Sequence, residues 1–147
     1  MSSASDYKRL MRGVIPYATV EGADKAIEFY TRAFGAVLHG EVARSEDGRV
    51  LNASIEINDG MVMLMDPFPE HGSARSTGSN FLLQLVIADG DLWWNRAVEA
   101  GCEVVSLFKL EFWGDRFGRV RDPFGLEWAF NEPAAAKQQA TAKSLAD

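Results

Sequence analysis

The sequence is short of cysteine and of long apolar runs, and both shortages exclude whole classes of protein. Its one cysteine, Cys102, excludes a disulfide framework within the chain and is typical of a protein kept in a reducing cytoplasm. A lone cysteine after a helix-ending glycine is more often a small core residue than a nucleophile. The longest apolar stretches, 81–83 and 85–87 on either side of Gln84, fall far short of the roughly 18 residues of a membrane helix. The first 13 residues also lack the apolar segment of a secretory signal, so we expect a cytoplasmic protein that does not enter membranes.

Basic residues are outnumbered as well, with 15 lysines and arginines against 21 acidic residues and a net charge of −6. Nonspecific binding to nucleic acid requires a basic surface, so we expect no nucleic-acid partner. The negative charge mildly favours cationic ligands, although its simpler explanation is that it keeps the protein in solution. The length of 147 residues and the hydrophobic content of 47% are those of an ordinary globular protein. We therefore expect one domain that spans residues 1–147.

Apolar and turn residues in the first half of the sequence predict the order β-α-β-β-β. Valine, isoleucine, tyrosine and threonine dominate residues 14–20, which is typical of a strand, and Pro16 places that strand at an edge or a bulge. A helix follows residues 21–24, because apolar residues recur there at intervals of three and four, and Gly35 ends it. The remaining predicted strands are 36–43, 50–57 and 61–65, joined by turns at 45–48 and 58–60.

The second half repeats that order after a polar loop at 68–80. Its predicted strands are 81–87, 104–107, 117–121 and 126–130, with a helix that opens at 89–91 and stops at Gly101. We therefore predict an α+β fold of two βαβββ modules, about 13–67 and about 80–132. One helix covers one face of each sheet, so the other face must be covered by the other module, by a partner chain or by a ligand. The tail at 133–147 lacks an apolar stripe, and we expect it to fray rather than to dock as a short helix.

Three stretches of the sequence resemble motifs of a known family. The first strand and helix read PYATVEGADKAIEFYTRAFGA, the end of the first module reads MLMDPFPEHG, and the closing strands read FWGDRFGRVRDPFGLEWAF. Together they are similar to the vicinal oxygen chelate superfamily, which includes glyoxalase I, extradiol dioxygenases and bleomycin-resistance proteins, and in particular to its PhnB-like branch. The resemblance covers about residues 13–132. It implies curved mixed sheets that enclose a cleft, which is where that family has its active site.

Metal-dependent members of that family carry one histidine or glutamate ligand on each of four cleft strands. Counted from the helix-ending glycines and the Asp-Pro-Phe-Gly turn, the corresponding positions are apolar and cannot bind a divalent cation: Ile15, Leu64, Leu82 and Ala129. A shift of one residue gives no better ligand, since it substitutes Pro16, Met63 or Met65, and Leu83. A shift of two on the last strand reaches Glu127, and the histidines, His39 and His71, have no acidic or histidine partner at ligand spacing. We therefore predict that the protein holds no metal and no cofactor.

Alternation along the strands places Tyr17 and Gln84 on the same cleft face as Ile15 and Leu82. Gln84 interrupts an apolar run, so we expect its amide to bond either a ligand or a neighbouring side chain or fixed water. The loop before the seventh strand adds aromatic rings and a guanidinium that suit a small-molecule pocket. The alternative is structural, with Asp115 and Arg116 bracing the loop and Trp113 packing beneath it. The predicted ligand contacts are Tyr17, Gln84, Phe112, Trp113 and Arg116, and no catalytic residue is assigned.

Other conspicuous side chains are expected to be structural. Strand alternation and helix geometry predict a set of core residues: Trp128, Phe130, Met61, Met63 and Met65, together with at most one of Trp93 and Trp94. Asp122 is expected to serve the Asp-Pro-Phe-Gly turn rather than catalysis, because aspartate caps the local backbone there.

Two functions are compatible with this reading. The first is a metal-free protein that binds a small aromatic or cationic compound, as the antibiotic-resistance members of the family do. The second is a glyoxalase-like lyase, isomerase or dioxygenase acting on a small metabolite, with an unrecognised metal site or an acid or base such as Tyr17, Asp115 or Glu127. We favour binding. In either case we expect a homodimer, because the sheet faces without a helix need cover.

Overall fold

A computed structural model describes residues 4–74 and 80–134 of the chain. The chain divides into two compact units, Met1–Gly78 and Ser79–Asp147, which correspond to the two predicted modules. The prediction for the tail lies outside the described residues from position 135 onward. Among the described helices, none is both long and apolar enough to cross a membrane.

Unit 1 contains the predicted β-α-β-β-β series, preceded by a short helix. The elements are α1 (Ala4–Leu10), β1 (Tyr17–Thr19), α2 (Ala23–Phe34), β2 (Val37–Arg44), β3 (Val50–Ile57) and β4 (Gly60–Met65), followed by a 3-10 turn at Pro69–His71. The sheet order is β1-β4-β3-β2, with β1 parallel to β4 and the other pairs antiparallel. The sequence analysis did not predict α1, because this helix of seven residues buries only Leu10 and so has no apolar periodicity.

Unit 2 repeats this arrangement element by element. Its elements are β5 (Leu83–Val86), α3 (Gly90–Ala100), β6 (Glu103–Leu110), β7 (Arg116–Arg121) and β8 (Glu127–Glu132). The sheet order is β5-β8-β7-β6, again with a parallel pair at β5 and β8. The predicted α+β fold of two βαβββ modules is therefore confirmed. The first strand of each unit is shorter than predicted, because only the residues that pair with β4 or β8 form a ladder.

The two units hold their helices in equivalent ways. Gly35 and Gly101 end α2 and α3 in the left-handed backbone conformation that glycine adopts without steric cost, as predicted. At the other end of each helix, a carboxylate from the last part of the sheet accepts a backbone N–H. Asp66 accepts from Ala23 N at 2.8 Å, and Glu132 accepts from Gly90 N at 2.6 Å.

Each helix covers one face of its own sheet with buried side chains. In unit 2, Trp94 stacks on Phe108 and meets the ring edge of Phe130. Phe130 and Trp128 are buried, which confirms their predicted core positions. Gly118 is required there, since a Cβ would come within 2.8 Å of Trp94. In unit 1, α2 packs against β3, on the side where the alternate residues Ala53, Ile55 and Ile57 are buried. The opposite side of each sheet is left without α2 or α3.

Candidate functional site

We call the sheet side opposite α2 or α3 the open face, and strand pairing identifies its residues. In unit 1 one cross-strand row of the open face consists of Tyr17, Met63, Ser54 and His39. In unit 2 one row consists of Gln84, Ala129, Arg119 and Ser106. Residues paired across a ladder point to the same side of the sheet, so each row is a line of neighbouring side chains.

Tyr17 and Gln84 occupy equivalent positions in the two units. Tyr17 lies three residues before Val20, whose N–H donates to Met65 O of β4 at 2.9 Å. Gln84 likewise lies three residues before Ile87, whose N–H donates to Asn131 O of β8 at 3.0 Å. In its own sheet, each lies on the side away from α2 or α3, as strand alternation predicts. The prediction that both contact one ligand stays a prediction.

The same equivalence corrects one of the four family ligand positions. Ala129 pairs with Gln84 in unit 2, and the residue that pairs with Tyr17 in unit 1 is Met63. The prediction of Leu64 was therefore wrong by one residue, because Leu64 pairs with Ala53 on the side covered by α2 and is fully buried. A shift of one residue moves a side chain to the other face of a sheet.

The residues at these positions do not fit the metal centre of the family. Met63 supplies a thioether and Ala129 a methyl group, which are not ligands for a hard divalent cation. Ile15 and Leu82, at the other two positions, carry only hydrocarbon side chains. Within residues 4–74 and 80–134, no group of three or more histidine, cysteine, aspartate or glutamate side chains is placed to hold a metal ion. The absence of a bound metal in solution stays a prediction.

The methionines of β4 lie on the open face rather than in the helix-covered core. Met61 pairs with Glu56 and Met63 with Ser54, two polar residues of β3, whereas Val62 and Leu64 point toward α2. The predicted core role is confirmed for Met61, which is 5% exposed, whereas Met63 and Met65 are only half-buried. Unbranched, polarizable methionine side chains adapt to irregular partners, which suits an open binding surface.

Tyr17 lies across the open face of unit 1 with its hydroxyl already engaged. The phenol is 47% exposed, and its hydroxyl donates to the backbone carbonyl of Leu51 at 2.7 Å. Partial burial raises the pKa of this phenol above its usual value. Tyr17 therefore presents the face of its ring, rather than a free hydroxyl, to anything bound there.

Gln84 differs from its predicted environment. We expected a buried amide in need of a partner, but the side chain is exposed on the open face, beside the fully buried Ala129. Its apolar neighbours Leu83 and Leu85 point to the helix side, so the apolar run that surrounds Gln84 in sequence does not surround it in space. The amide is thus available to a ligand from solvent.

The predicted aromatic turn lies at the end of β6, next to the open face of unit 2. Phe112 is 96% exposed and meets the edge of Trp113, with ring centroids 5.0 Å apart. Trp113 is 43% exposed and meets the edge of Phe117, at 5.7 Å. Phe117 belongs to the row of Asn131 and Val86 on the open face. Trp113 therefore adds an aromatic wall beside the row that contains Gln84.

Arg116 does not join this group. It pairs with Glu132 on the helix-covered side of the sheet, where its Nη2 donates to Asp91 Oδ1 at 2.6 Å and its guanidinium lies 4.3 Å from the ring centre of Phe108. Its carboxylate partners hold the pKa of the guanidinium above its usual value. The structural alternative thus describes Arg116 better, although its partners are Asp91 and Glu132 and not Asp115.

Arg119, which sequence reasoning did not single out, takes the place on the open face that Arg116 was given. Its Nη2 donates to Glu127 Oε2 at 2.6 Å, and Arg121 donates to the other oxygen of Glu127 at 2.8 Å. These two arginines hold the pKa of Glu127 below its usual value. A pocket of about 440 Å³ opens here, lined by Asn80, Phe81, Leu82, Arg119 and Glu127. Counting outward from the Asp-Pro-Phe-Gly turn pairs Arg121 with Glu127 and Arg119 with Ala129, which was the available signal.

A buried histidine on the open face of unit 1 was also missed. His39 is 3% exposed, and its Nε2 lies 2.9 Å from Glu56 Oε1, so the expectation that it lacks an acidic partner was wrong. His39 pairs with Ser54, which brings Glu56 onto the same face, but two irregularities in the β2–β3 register lie between this pair and the turn at 45–48, and the sequence contains no signal of them. A second pocket, of about 460 Å³, lies between this edge and α1 and is lined by Ala4, Tyr7, Lys8, His39, Gly40, Glu41, Asn52 and Ser54.

Comparison with known proteins agrees with this architecture. An uncharacterized protein of Mycobacterium bovis is 37% identical over 124 residues, which are 80% of this chain and 81% of that protein. The structure of a PhnB protein from Bacillus cereus matches with a TM-score of 0.62 at 17% identity and covers 82% of this chain and 99% of its own. That of TnmS3, an antibiotic binding protein from Streptomyces sp. CB03234, matches with a TM-score of 0.62 at 24% identity and covers 85% of this chain and 98% of its own.

The family assignment rests on a match that spans most of the chain. The model of the Glyoxalase/Bleomycin resistance protein/Dioxygenase superfamily matches residues 14–130, which include every strand of both units except the last residues of β8. The two equivalent sheets and the repeated helix supports are the structural counterpart of that match. The chain therefore belongs to the Glyoxalase/Bleomycin resistance protein/Dioxygenase superfamily.

Proposed function

We propose that this protein binds a small aromatic molecule on the open face of unit 2 without using a metal ion. The observation that carries the proposal is the pairing of an exposed amide, Gln84, with the aromatic wall of Trp113 and Phe117 on one uncovered sheet face. Small-molecule sites combine aromatic surface with a few polar groups that orient the ligand. Phe112, almost fully exposed beside Trp113, supplies a further ring that a ligand would cover.

The candidates for acid–base catalysis are already committed to structural contacts, which favours binding over catalysis. The Tyr17 hydroxyl donates to a backbone carbonyl, and the buried Asp115 carboxylate accepts from Asn131 Nδ2 at 3.3 Å and from Ala134 N at 3.0 Å. Glu127, paired with two arginines, has a lowered pKa and so is a poor proton donor near neutral pH. A general acid needs a pKa close to the working pH, and the pKa values of Tyr17, which is raised, and Glu127, which is lowered, are both shifted away from it.

The class of ligand follows from the aromatic wall and from the fold. TnmS3, which shares the fold, is an antibiotic binding protein. We infer an antibiotic or an aromatic metabolite as the ligand here, held by sequestration and not converted. Tyr17, on the equivalent row of unit 1, stays a predicted ligand contact of its own unit, whereas Arg116 is removed from the predicted set.

Three further statements belong to this proposal. We propose that residues 1–147 act as a single domain, and that it works as a homodimer in the cytoplasm. Support for the dimer comes from apolar side chains exposed on the edge strand β6, namely Val104, Val105, Leu107 and Leu110. Exposed apolar residues on an edge strand are a surface that proteins usually cover.

A ligand screen with a tryptophan variant tests the proposed site. Aromatic antibiotics and aromatic acids are screened by thermal shift, because a ligand that binds only the native state raises the melting temperature. For any hit, Trp113→Ala should weaken binding by about 1–3 kcal/mol, the range for a partly buried aromatic contact. The matched control is Trp93→Ala, since Trp93 lies on α3 beneath Arg96, on the side away from the open face. Equal losses in both variants, or a loss only in the control, would contradict the proposed site.

A further inference from the structure

The open face of unit 2 contains a notch between two polar side chains. Gln84 of β5 and Arg119 of β7 flank Ala129 of β8 in one cross-strand row. Neighbouring strands are about 4.8 Å apart, so the two long side chains rise on either side of a methyl group. The methyl group of Ala129 is fully buried beneath them. The notch therefore places an amide and a guanidinium side by side, where both can reach one small group above the buried methyl group.

The guanidinium at this notch has hydrogen-bonding capacity to spare. Nη2 is bonded to Glu127, while the buried Nε has no partner within the described residues. An arginine offers five N–H groups, and a buried donor left unpaired is costly. Arg119 is also partly exposed, with 36% of its side chain accessible, so part of the guanidinium can be reached from solvent.

The charges around Arg119 balance, although the whole chain carries a net charge of −6. Arg119 and Arg121 each donate to one oxygen of Glu127, and Arg121 also lies 3.7 Å from Glu103, which is largely exposed. Arg119 is therefore bonded to a single oxygen of a carboxylate that it shares, and its remaining N–H groups can bind a second anion.

We propose that the ligand of this face carries a carboxylate, which Arg119 and Gln84 bind together above Ala129. The inference rests on the proposed function and specifies its ligand as a small aromatic carboxylate. One carboxylate oxygen accepts from the guanidinium of Arg119 and the other from the amide of Gln84. The aromatic body then extends along the face toward Phe117 and Trp113, which lie one row away on the same side.

Three fragments of matched size test the charge preference: benzoate, benzamide and benzylamine. Binding to the full chain is followed by NMR, using the indole N–H signal of Trp113 to report contact with the open face. We expect benzoate to bind about tenfold more tightly than benzamide, because a hydrogen bond between charged groups is stronger than a neutral one. Benzylamine should bind most weakly of the three.

The variants Arg119→Gln and Arg96→Gln separate the site from a general charge effect. Both variants remove one positive charge. Arg96, however, lies on α3, which covers the side of the sheet opposite the open face. Arg119→Gln should abolish the preference for benzoate over benzamide, whereas Arg96→Gln should preserve it. Arg121 still pairs with Glu127 in the first variant, so no carboxylate is left alone. If that variant does not fold, Gln84→Ala, at an exposed position, should reduce the preference by about threefold or more.

The outcomes distinguish this inference from the function on which it rests. Failure of all three fragments to shift the Trp113 signal would overturn the proposed site itself. Binding of benzamide or benzylamine as tight as that of benzoate would keep the site and overturn the carboxylate. The same holds if benzoate is preferred but Arg119→Gln and Gln84→Ala both leave the preference unchanged.

Discussion

The Asp-Pro-Phe-Gly turn between β7 and β8 depends on one buried carboxylate, and its removal should destabilise the protein strongly. Oδ1 of Asp122 accepts from the backbone N–H groups of Phe124 at 2.9 Å and Leu126 at 3.0 Å. Oδ2 accepts from Trp128 Nε1 at 2.8 Å. The motif is therefore explained by its contacts: the aspartate shapes the turn and also satisfies the buried indole of the next strand.

The magnitude follows from what each lost bond leaves behind. The amides of Phe124 and Leu126 are half-buried and can be rehydrated in Asp122→Ala, at a cost of about 1 kcal/mol each. The indole of Trp128 is 1% exposed and cannot be rehydrated, so its N–H group, left without a hydrogen-bond acceptor, adds about 2 kcal/mol to the loss. We expect Asp122→Ala to lower the free energy of unfolding by about 4 kcal/mol. Asp122→Asn retains one oxygen for the turn, and we expect a loss of about 2 kcal/mol.

Urea unfolding followed by circular dichroism measures these losses, with the m value as a check that the unfolding reaction is unchanged. Glu99→Ala, at an exposed position of α3, is the control and should change stability by less than about 0.5 kcal/mol. In the background of Trp128→Phe, which has no indole N–H, Asp122→Asn should cost about 1–2 kcal/mol less than in the native sequence. A loss below about 1 kcal/mol for Asp122→Ala, or no coupling to Trp128, would refute this account of the turn.

Three further predictions concern reactivity, metal content and assembly. Burial, with the nearby Asp122 carboxylate, raises the pKa of Cys102 to about 12, so Ellman's reagent at pH 8 should modify the native thiol at least roughly a hundredfold more slowly than the unfolded one. A native thiol that reacts with Ellman's reagent as fast as the unfolded one would contradict its burial. Since the unfolded thiol ionises near its ordinary pKa of 9.0 and the native thiol does not, the free energy of unfolding should fall as the pH rises above that value. Elemental analysis of the purified protein should find far less than one divalent metal ion per chain, because the family's ligand positions hold no histidine or carboxylate but Ile15, Met63, Leu82 and Ala129. About one ion per chain would contradict this. Sedimentation at micromolar concentration should show a dimer of the 16.2 kDa chain, and a monomer alone would count against it.

Local pattern was sufficient for most elements of the fold. The strand at 50–57 has the predicted bounds, and the stops of α2 and α3 fall at the predicted glycines, since strand composition and helix termination are decided by neighbouring residues. The pattern did not predict α1, which is too short to show a helical period of apolar residues. It also misplaced the ends of β1, because the length of this strand depends on how many of its residues pair with β4.

The candidate site was predicted less completely, and for one recurring reason. Leu64 in place of Met63, and Arg116 in place of Arg119, are errors of an odd number of residues along a strand. Because side chains alternate between the faces, such an error moves a residue from the open face to the helix side. Gln84 was placed on the correct face, but its exposure depends on the whole sheet and not on its apolar neighbours in sequence.

The sequence by itself determined the order of the elements and their repetition in two modules, because these depend on composition and on periods of two and 3.6 residues. Only the tertiary structure decided which side chains meet across strands. The pair of His39 with Glu56 and that of Arg119 with Glu127 arise from the register of backbone hydrogen bonds between distant segments. That register is set by packing of the whole sheet against its helix, which no local stretch of sequence contains.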